Sequence, residues 1–291
     1  MTLKENVKTD WSISTFVESE RFGIKCEKKA DEYAIEFAEW LNGIDINDEV
    51  LQKHISIDEL LQQFKKEKGQ PLFSSHMLDL SEESIEENIQ TSVEFFKRMA
   101  PLGMGIEIEL GVTGGEEDGV DNSGVENDKL YTQPEHVAYA YTELSKVGKL
   151  FTIAAAFGNV HGVYSPGNVE LKPVILHNSQ VHIEKELGTG PKPVYFVFHG
   201  GSGSLLSEIR ESLDYGVIKM NIDTDTQYAF TRPVVDHVMK NYDGVLKVDG
   251  EVGNKKAYDP RAWGKAAEAG MAARVAHACE DLRSTGTSAL K

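Results

Sequence analysis

Cysteine, long apolar runs and positive charge are all scarce in this sequence. Its two cysteines, Cys26 and Cys279, are too few for a disulfide framework or a zinc knuckle, which favours a reducing compartment. No run approaches the roughly 18 apolar residues of a membrane span. Because residues 1–20 are polar and charged, the sequence predicts no signal peptide and a cytoplasmic protein.

The acidic balance excludes two further kinds of partner. With 30 Lys and Arg against 47 Asp and Glu, the formal net charge is -17 at pH 7. Such a chain offers no basic stripe to neutralise the phosphates of nucleic acid or of an anionic membrane surface. We therefore expect neither partner. A phosphorylated small molecule would have to be bound by local backbone N–H groups and a few cations.

The sequence pattern changes near residue 68. Residues 1–68 are predicted to be an acidic helical segment, with helical spacing at Tyr33, Phe37 and Trp40 and a second helix ended by Gly69. Residues 69–291 alternate strand and helix patterns, with strands predicted at 72–80, 104–110, 150–157, 195–198 and 217–222. This alternation indicates βαβ units and a parallel α/β sheet.

The connecting helices are amphipathic and the strands are mostly apolar. Helices are predicted at residues 85–99 and 134–144, with Thr132 as the N-cap of the second. Apolar strands predict that both faces of the sheet are covered. No Gly-x-Gly-x-x-Gly motif follows the first strand, so a dinucleotide-binding fold is not favoured. Five such units fit either an open sheet or part of a (β/α)8 barrel.

Two histidines follow apolar strands and precede glycine. His199 comes directly after the strand at 195–198, and His161 lies in the corresponding stretch Phe157-Gly158-Asn159-Val160-His161-Gly162. The carboxyl ends of parallel strands meet at one edge of the sheet, which favours convergence of the two imidazoles on a metal such as Zn²⁺. The alternative is a pair of buried histidines before ordinary βα turns.

Carboxylates occur at the same strand ends. Glu107 and Glu109 point to one face of their strand because side chains alternate with a period of two. Asp79 ends the preceding strand. The acidic, glycine-flanked stretch at residues 114–119 predicts a flap that carries a general acid or base, with a solvated loop as the alternative.

Two loops near the end of the chain suit phosphate. Residues 200–204 are Gly and Ser before a helix, and residues 221–226 are polar at the next helix start. Free N–H groups and the helix dipole favour an anion at such places. Barrel enzymes bind phosphate after strands 7 and 8, so the five strands would be numbers four to eight. Arg261 opens a later helix and is a candidate second phosphate clamp.

Together these motifs resemble the zinc-dependent class II fructose-bisphosphate aldolases, specifically the class IIA branch of bacteria and fungi. The resemblance covers about residues 68–291 and rests on residues 71–83, 114–119, 158–162, 198–204, 221–226 and 258–263. It implies a (β/α)8 TIM-barrel fold. Here it implies an incomplete barrel, strands 4 to 8, preceded by the helical segment at residues 1–68.

The resemblance also implies an activity. It is the reversible aldol cleavage of fructose 1,6-bisphosphate to dihydroxyacetone phosphate and glyceraldehyde 3-phosphate, a step of glycolysis and gluconeogenesis. In this family Zn²⁺ holds the C2 carbonyl and C3 hydroxyl of dihydroxyacetone phosphate and acts as a Lewis acid. A monovalent cation, Na⁺ or K⁺, and a homodimer are further implied.

Site residues carry over from the matching motifs. His161 and His199 resemble zinc ligands, and Asp79 and Glu109 resemble carboxylates that hold the metal in an alternative, more buried position. Glu117 resembles the flap residue that assists proton transfer, and Arg261 resembles a residue that reaches the other phosphate from a neighbouring subunit. The dihydroxyacetone phosphate site is expected at Gly162, Gly200, Gly201, Ser202, Asn221, Ile222, Asp223 and Thr224.

One motif of the family does not occur in these 291 residues. It is His-x-Asp-His, which ends strand 3 of the family and supplies a third zinc ligand and the principal acid/base. Two alternatives therefore accompany the aldolase assignment. One is an impaired aldolase remnant that acts as an association module. The other is a tagatose 1,6-bisphosphate aldolase.

Overall fold

The computed structural model describes residues 57–112, 114–117, 120–121, 130–161, 170–246 and 253–287. For residues 57, 58, 60, 114–117, 120–121 and 161 the description is limited to the backbone. The helix predicted around Tyr33 and most of the predicted segment 1–68 lie outside these ranges.

Helices and strands alternate along the described chain, as the sequence predicts. The helices are α1 Ile57–Lys68, α2 Ile85–Met99, α3 Pro134–Ser145, α4 Val174–Leu187, α5 Leu206–Asp214, α6 Thr224–Lys240, α7 Tyr242–Val245, α8 Lys255–Tyr258 and α9 Pro260–Asp281, with a short 3-10 turn at Ala100–Leu102. The strands are β1 Ser75–Leu78, β2 Gly105–Leu110, β3 Gly114–Glu117, β4 Val120–Asp121, β5 Phe151–Ala155, β6 Val160–His161, β7 Phe196–Phe198 and β8 Val217–Met220.

The five predicted strands form one parallel sheet. Its order is β1-β2-β5-β7-β8, so each of these strands lies beside the next one along the chain. This confirms the α/β class and the parallel sheet. Every one of these strands is shorter than the range predicted for it. The small strands β4, β3 and β6 form a separate sheet.

One face of the main sheet is apolar and packs on helices. Ile106, Ile108 and Ile153 share a buried core with residues of α2, α3 and α4, among them Ile89, Phe96, Val137, Leu144, Leu176 and Ile183. Near the carboxyl edge, the rings of Phe157 and Phe198 meet edge to face with centroids 4.7 Å apart. This core fixes where the strand ends lie.

The other face carries charged side chains, among them the two glutamates that the sequence places on one face of their strand. The register pairs Glu107 with Thr152, and Val197 with Lys219. Paired residues of neighbouring parallel strands point the same way, so Glu107, Glu109, Thr152 and Lys219 share a face. Both glutamates are buried. At β2 this second face is therefore buried and holds ionisable groups.

The sequence predicts Thr132 as the N-cap of α3, and this prediction is wrong. Gln133 precedes the helix and makes no side-chain cap. The Thr132 hydroxyl instead donates to the carbonyl of Leu110 at 2.6 Å and accepts from the N–H of Ala156 at 2.8 Å. These groups lie at the ends of β2 and β5, so the buried threonine ties the two strand ends together.

Helices α6 and α9 pack closely at a glycine. A Cβ built on Gly270 would lie 2.3 Å from the carbonyl oxygen of Ala229 and 2.9 Å from Pro233 Cγ. The close approach therefore requires glycine on α9. Among the described helices none has both the length and the apolar composition to cross a membrane.

We expect Gly270→Ala to lower the free energy of unfolding by about 1–3 kcal/mol, because the added methyl group pushes the backbones of α6 and α9 apart. Gly264→Ala on the same helix is the matched control, since a Cβ there meets nothing within 4 Å. The control should raise stability by about 0.5–1 kcal/mol through helix propensity. Urea unfolding of both variants measures the difference, and equal stabilities would contradict the packing described.

Candidate active site

Four ionisable residues meet at the carboxyl end of the sheet, and we call them the charged cluster: Glu107, Glu109, His199 and Lys219. Strand β2 supplies the two glutamates at alternate positions, and β8 supplies Lys219. His199 follows the last residue of β7 directly. Strand β7 is next to β8 and is separated from β2 by β5, so all four side chains reach one place on the charged face.

Both ring nitrogens of His199 face carboxylates. Nε2 lies 3.0 Å from Glu107 Oε1, and Nδ1 lies 3.0 Å from Glu109 Oε2. The Lys219 ammonium donates to both oxygens of Glu107, at 3.0 Å and 2.8 Å. Thr152 Oγ1 is 3.5 Å from Glu107 Oε2. Glu107 is thus held between an imidazole and an ammonium.

The cluster is charged in spite of its burial. Burial of the imidazole opposes its protonation, but the hydrogen bonds to Glu107 and Glu109 outweigh burial and raise the pKa of His199 to about 9. Burial alone would raise the pKa of Glu107. The hydrogen bond from His199 and the charge of Lys219 outweigh that effect and hold the pKa below its ordinary value. At neutral pH an imidazolium and an ammonium offset the buried carboxylate charge.

The donors of the cluster are chemically suited to a zinc ion. Imidazole nitrogen and carboxylate oxygen bind zinc at about 2.0–2.2 Å, which places two donors of a tetrahedral site about 3.3–3.5 Å apart. His199 Nδ1 and Glu109 Oε2 are 3.0 Å apart, so a metal that replaces the shared proton needs little movement of either group. Within the described ranges no group of three His, Cys, Asp or Glu is already arranged around a metal position.

The two predicted phosphate loops lie side by side. The N–H of Gly201 donates to the carbonyl of Asn221 at 3.0 Å. The N–H of Asp225, in the first turn of α6, donates to Ser202 Oγ at 3.1 Å. A Cβ on Gly201 would lie 2.3 Å from Met220 Cε and 3.0 Å from the Asn221 carbonyl oxygen. Glycine at this position therefore lets the loop after β7 approach the end of β8.

The other residues predicted to bind phosphate also lie at the ends of β7 and β8. Gly200 has a φ of +62°, in the left-handed region. Asn221 donates its N–H to the carbonyl of Phe198 at 2.8 Å, which continues the β7–β8 pairing by one residue. Ile222 and Asp223 lead into α6, and Thr224 is its first residue. The Asp223 carboxylate accepts from the Gln227 side chain at 2.9 Å.

Asp79 and Arg261 are exposed and make local contacts. The β1–β2 register pairs Leu78 with Ile108, which places Asp79 level with Glu109. The Asp79 carboxylate accepts from the N–H and hydroxyl of Ser81, at 3.0 Å and 2.7 Å. Arg261 pairs with Asp259, with Nε 3.0 Å from Oδ1, and its hydrogen bonds lower the pKa of Asp259 to about 2. The structure brings neither side chain into contact with the charged cluster.

The flap residue and the other histidine lie on neighbouring backbones. Strand β3, which ends at Glu117, pairs with β6, and Gly115 lies opposite His161. Gly162 and the side chains of Glu117 and His161 lie outside the described residues. His161 does not end β5 as the sequence suggested, because the chain turns at Gly158 before it forms β6.

Comparison with known proteins identifies the family. Residues 33–287 match the family model for fructose-bisphosphate aldolase class-II. A fructose-bisphosphate aldolase class 2 of Escherichia coli K12 is 47% identical over 272 residues, covering 91% of this chain and 71% of that protein. A fructose-bisphosphate aldolase of Campylobacter jejuni is 54% identical over 238 residues, covering 78% of this chain and 66% of that protein. The chain belongs to the class II fructose-bisphosphate aldolase family.

A solved structure of the family agrees with this assignment. The crystal structure of fructose-bisphosphate aldolase from Campylobacter jejuni matches with a TM-score of 0.67 and 47% identity, over 87% of this chain and 69% of that chain. The predicted family and its class of enzyme, a lyase, are confirmed. This class II aldolase chain spans about two thirds of the length of the Campylobacter jejuni relative.

The match to the family model begins at residue 33, which is upstream of the domain boundary predicted between residues 68 and 69. That domain boundary stays a prediction.

Sequence reasoning about this aldolase missed Lys219 and Thr152. Lys219 is the single charged residue in the apolar run Val217-Ile218-Lys219-Met220. A lysine in a buried strand needs a carboxylate partner. The presence of Lys219 in this apolar run therefore indicates a nearby carboxylate. The sequence places Glu107 on the same face as Glu109 but does not distinguish their roles. Thr152 carries no sequence signal that distinguishes it from an ordinary strand residue.

Proposed function

We propose that this chain catalyses the reversible aldol cleavage of fructose 1,6-bisphosphate to dihydroxyacetone phosphate and glyceraldehyde 3-phosphate, in glycolysis and gluconeogenesis in the cytoplasm. The observation that carries the proposal is the charged cluster, which sits at the carboxyl end of a parallel sheet beside two glycine- and polar-rich loops. Enzymes built on parallel sheets bind their substrates at that end. The family assignment supplies the reaction class.

The metal ligands that we propose are His161, His199, Glu109 and Asp79. Support for His199 and Glu109 comes from their burial and from the 3.0 Å separation of their donor atoms. When bound, Zn²⁺ would polarise the substrate carbonyl and offset the negative charge that develops during cleavage. Glu107 would accept a hydrogen bond from the far nitrogen of His199, as carboxylates commonly do behind metal-binding histidines.

The phosphate of the triose half would lie on the loops after β7 and β8. Gly162, Gly200, Gly201, Ser202, Asn221, Ile222, Asp223 and Thr224 are the proposed contacts. The N-terminus of α6 supports this assignment, because the start of a 17-residue helix carries the positive end of the helix dipole, which favours an anion. A Na⁺ or K⁺ ion near Gly162 and Gly200 would add positive charge.

Two further residues would act on the other half of the substrate. Glu117 on the flap would hold or move the proton at the triose carbon. Arg261 would reach across to the active site of a neighbouring subunit and bind the second phosphate of the substrate there. This role requires a homodimer. Support for this role comes from its exposure at the start of α9, where the side chain is 81% accessible and already pairs with a carboxylate.

The sheet is proposed to be strands 4 to 8 of a (β/α)8 barrel. Support comes from the sequential strand order, because each βα unit of a barrel adds its strand next to the preceding one. A doubly wound sheet reverses its order at a switch point, and the order here does not reverse. The acidic helical segment 1–68 and the incomplete barrel remain predictions.

Cleavage of two epimeric substrates tests this function. The purified chain should release triose phosphates from fructose 1,6-bisphosphate and should act on tagatose 1,6-bisphosphate at least about tenfold more slowly, a discrimination of about 1.4 kcal/mol. A coupled assay of dihydroxyacetone phosphate measures both rates. Faster cleavage of the tagatose epimer would assign the chain to the other sugar. No cleavage of either by folded protein would favour the association module.

A further inference from the structure

Glu107 is not one of the proposed metal ligands, and its contacts show how it would be held behind His199. Glu107 is buried, like Glu109, and lies two residues away on the same face of β2. Both glutamates reach His199 at the same distance of 3.0 Å, one at each ring nitrogen. A metal can replace the proton at one nitrogen and leave the other as a hydrogen-bond donor. Which nitrogen binds depends on which carboxylate stays in place.

Lys219 distinguishes the two carboxylates. Its ammonium donates to Oε1 and Oε2 of Glu107, at 3.0 Å and 2.8 Å. The Thr152 hydroxyl lies 3.5 Å from the same Oε2. These contacts hold the orientation of the Glu107 carboxylate from β5 and β8, the strands that flank β7. The lysine side chain is 27% exposed, and the Glu107 side chain is 7% exposed.

We propose that Lys219 is a positioning residue. By holding both oxygens of Glu107, it keeps that carboxylate on Nε2 of His199 and leaves Nδ1, beside Glu109, as the nitrogen that binds a divalent metal. This inference rests on the proposed metal site, and it assigns roles to three residues of this chain. Partners of this kind orient metal-binding histidines, and their loss typically lowers metal affinity by about 10–100-fold.

Zinc affinity, measured by competition with a chromophoric chelator, tests the inference without use of the catalytic reaction. We expect Lys219→Met to weaken zinc binding by about 10–100-fold. Lys219→Arg should recover most of the affinity, because it restores the cation. Lys149→Met is the matched control, since Lys149 is an exposed lysine that precedes β5 outside the cluster, and it should bind zinc like the parent chain.

Lys219→Met could fail to fold because Glu107 loses the ammonium that balances its charge. A second pair of variants keeps the inference testable in that event. Glu107→Gln removes the charge that Lys219 balances, and the double variant Lys219→Met with Glu107→Gln removes the whole ion pair. If Lys219 acts through Glu107, the double variant binds zinc as weakly as Glu107→Gln alone, and the two changes are not additive. Additive losses, or full zinc affinity in Glu107→Gln, would overturn the inference.

Nitrogen NMR of the His199 ring in the zinc-loaded chain gives a second readout. The parent chain should show a proton on Nε2 and none on Nδ1, and Lys219→Met should lose this uniform pattern. A purely structural role for Lys219 would leave the pattern unchanged.

The failures of the two proposals can be told apart. Zinc affinity within twofold of the parent in folded Lys219→Met overturns the inference and leaves the proposed function intact. Unchanged zinc affinity in His199→Gln overturns the metal site and this inference together. Absence of aldol cleavage in a parent chain that binds zinc through His199 overturns the proposed function alone.

Discussion

His199→Gln is expected to reduce kcat for fructose 1,6-bisphosphate cleavage by about 10³-fold. A metal Lewis acid contributes several kcal/mol of transition-state stabilisation, and about 4 kcal/mol corresponds to three factors of ten in rate. Glutamine keeps a side-chain amide that can donate to Glu107 or Glu109, and Lys219 still donates to Glu107 in the variant. The variant removes the imidazole donor with little change in volume.

His136→Gln is the control for this substitution. His136 is an exposed histidine near the start of α3, and its replacement should leave kcat and zinc content unchanged. Circular dichroism and a thermal melt establish that both variants are folded. If folded His199→Gln kept more than about a tenth of the parent kcat, the charged cluster would not be the catalytic centre.

Gly158→Ala is expected to lower the free energy of unfolding by about 2–5 kcal/mol. Gly158 has a φ of +89°, which costs an L-residue about 1–2 kcal/mol. A Cβ there would also lie 2.2 Å from the backbone carbonyl oxygen of Glu170, and such overpacking adds about 1–3 kcal/mol. The chain is fixed at this point, because Gly158 donates to Leu130 and Lys172 donates to Phe157.

Gly188→Ala separates the two contributions to that loss. Gly188 ends α4 with a φ of +63°, and a Cβ there would meet nothing within 4 Å. Its replacement should therefore cost only the conformational part, about 1–2 kcal/mol. Urea unfolding of both variants measures the comparison. Equal losses at the two sites would show that the turn after Phe157 is not packed as described.

Much of the fold could be predicted because its signals are local. The strands and helices follow from apolar periodicity, and α2 spans the residues predicted for it, with its first turn capped by Ser84. The position of His199 after a buried strand also follows from a short stretch of sequence. The parallel sheet follows from the alternation of strands and helices, because consecutive βα units pack beside one another.

The parts that could not be predicted depend on contacts distant in the sequence. The ion pair of Lys219 and Glu107 joins residues 112 positions apart, and nothing near either residue indicates its partner. Thr132 has the residue type and position of an N-cap, but the groups at the ends of β2 and β5 compete successfully for its hydroxyl. The pairing of β3 with β6 was missed because two residue pairs carry too short a pattern.

Reversible removal of the metal shows whether the charged cluster makes this chain a metal-dependent aldolase. Fructose 1,6-bisphosphate cleavage would be measured on the purified chain, after dialysis against a chelator, and after addition of one equivalent of Zn²⁺. We predict activity before dialysis, its loss after dialysis, and its recovery with zinc in the parent chain but not in His199→Gln. Turnover that survives complete metal removal would contradict a metal-dependent site at the charged cluster.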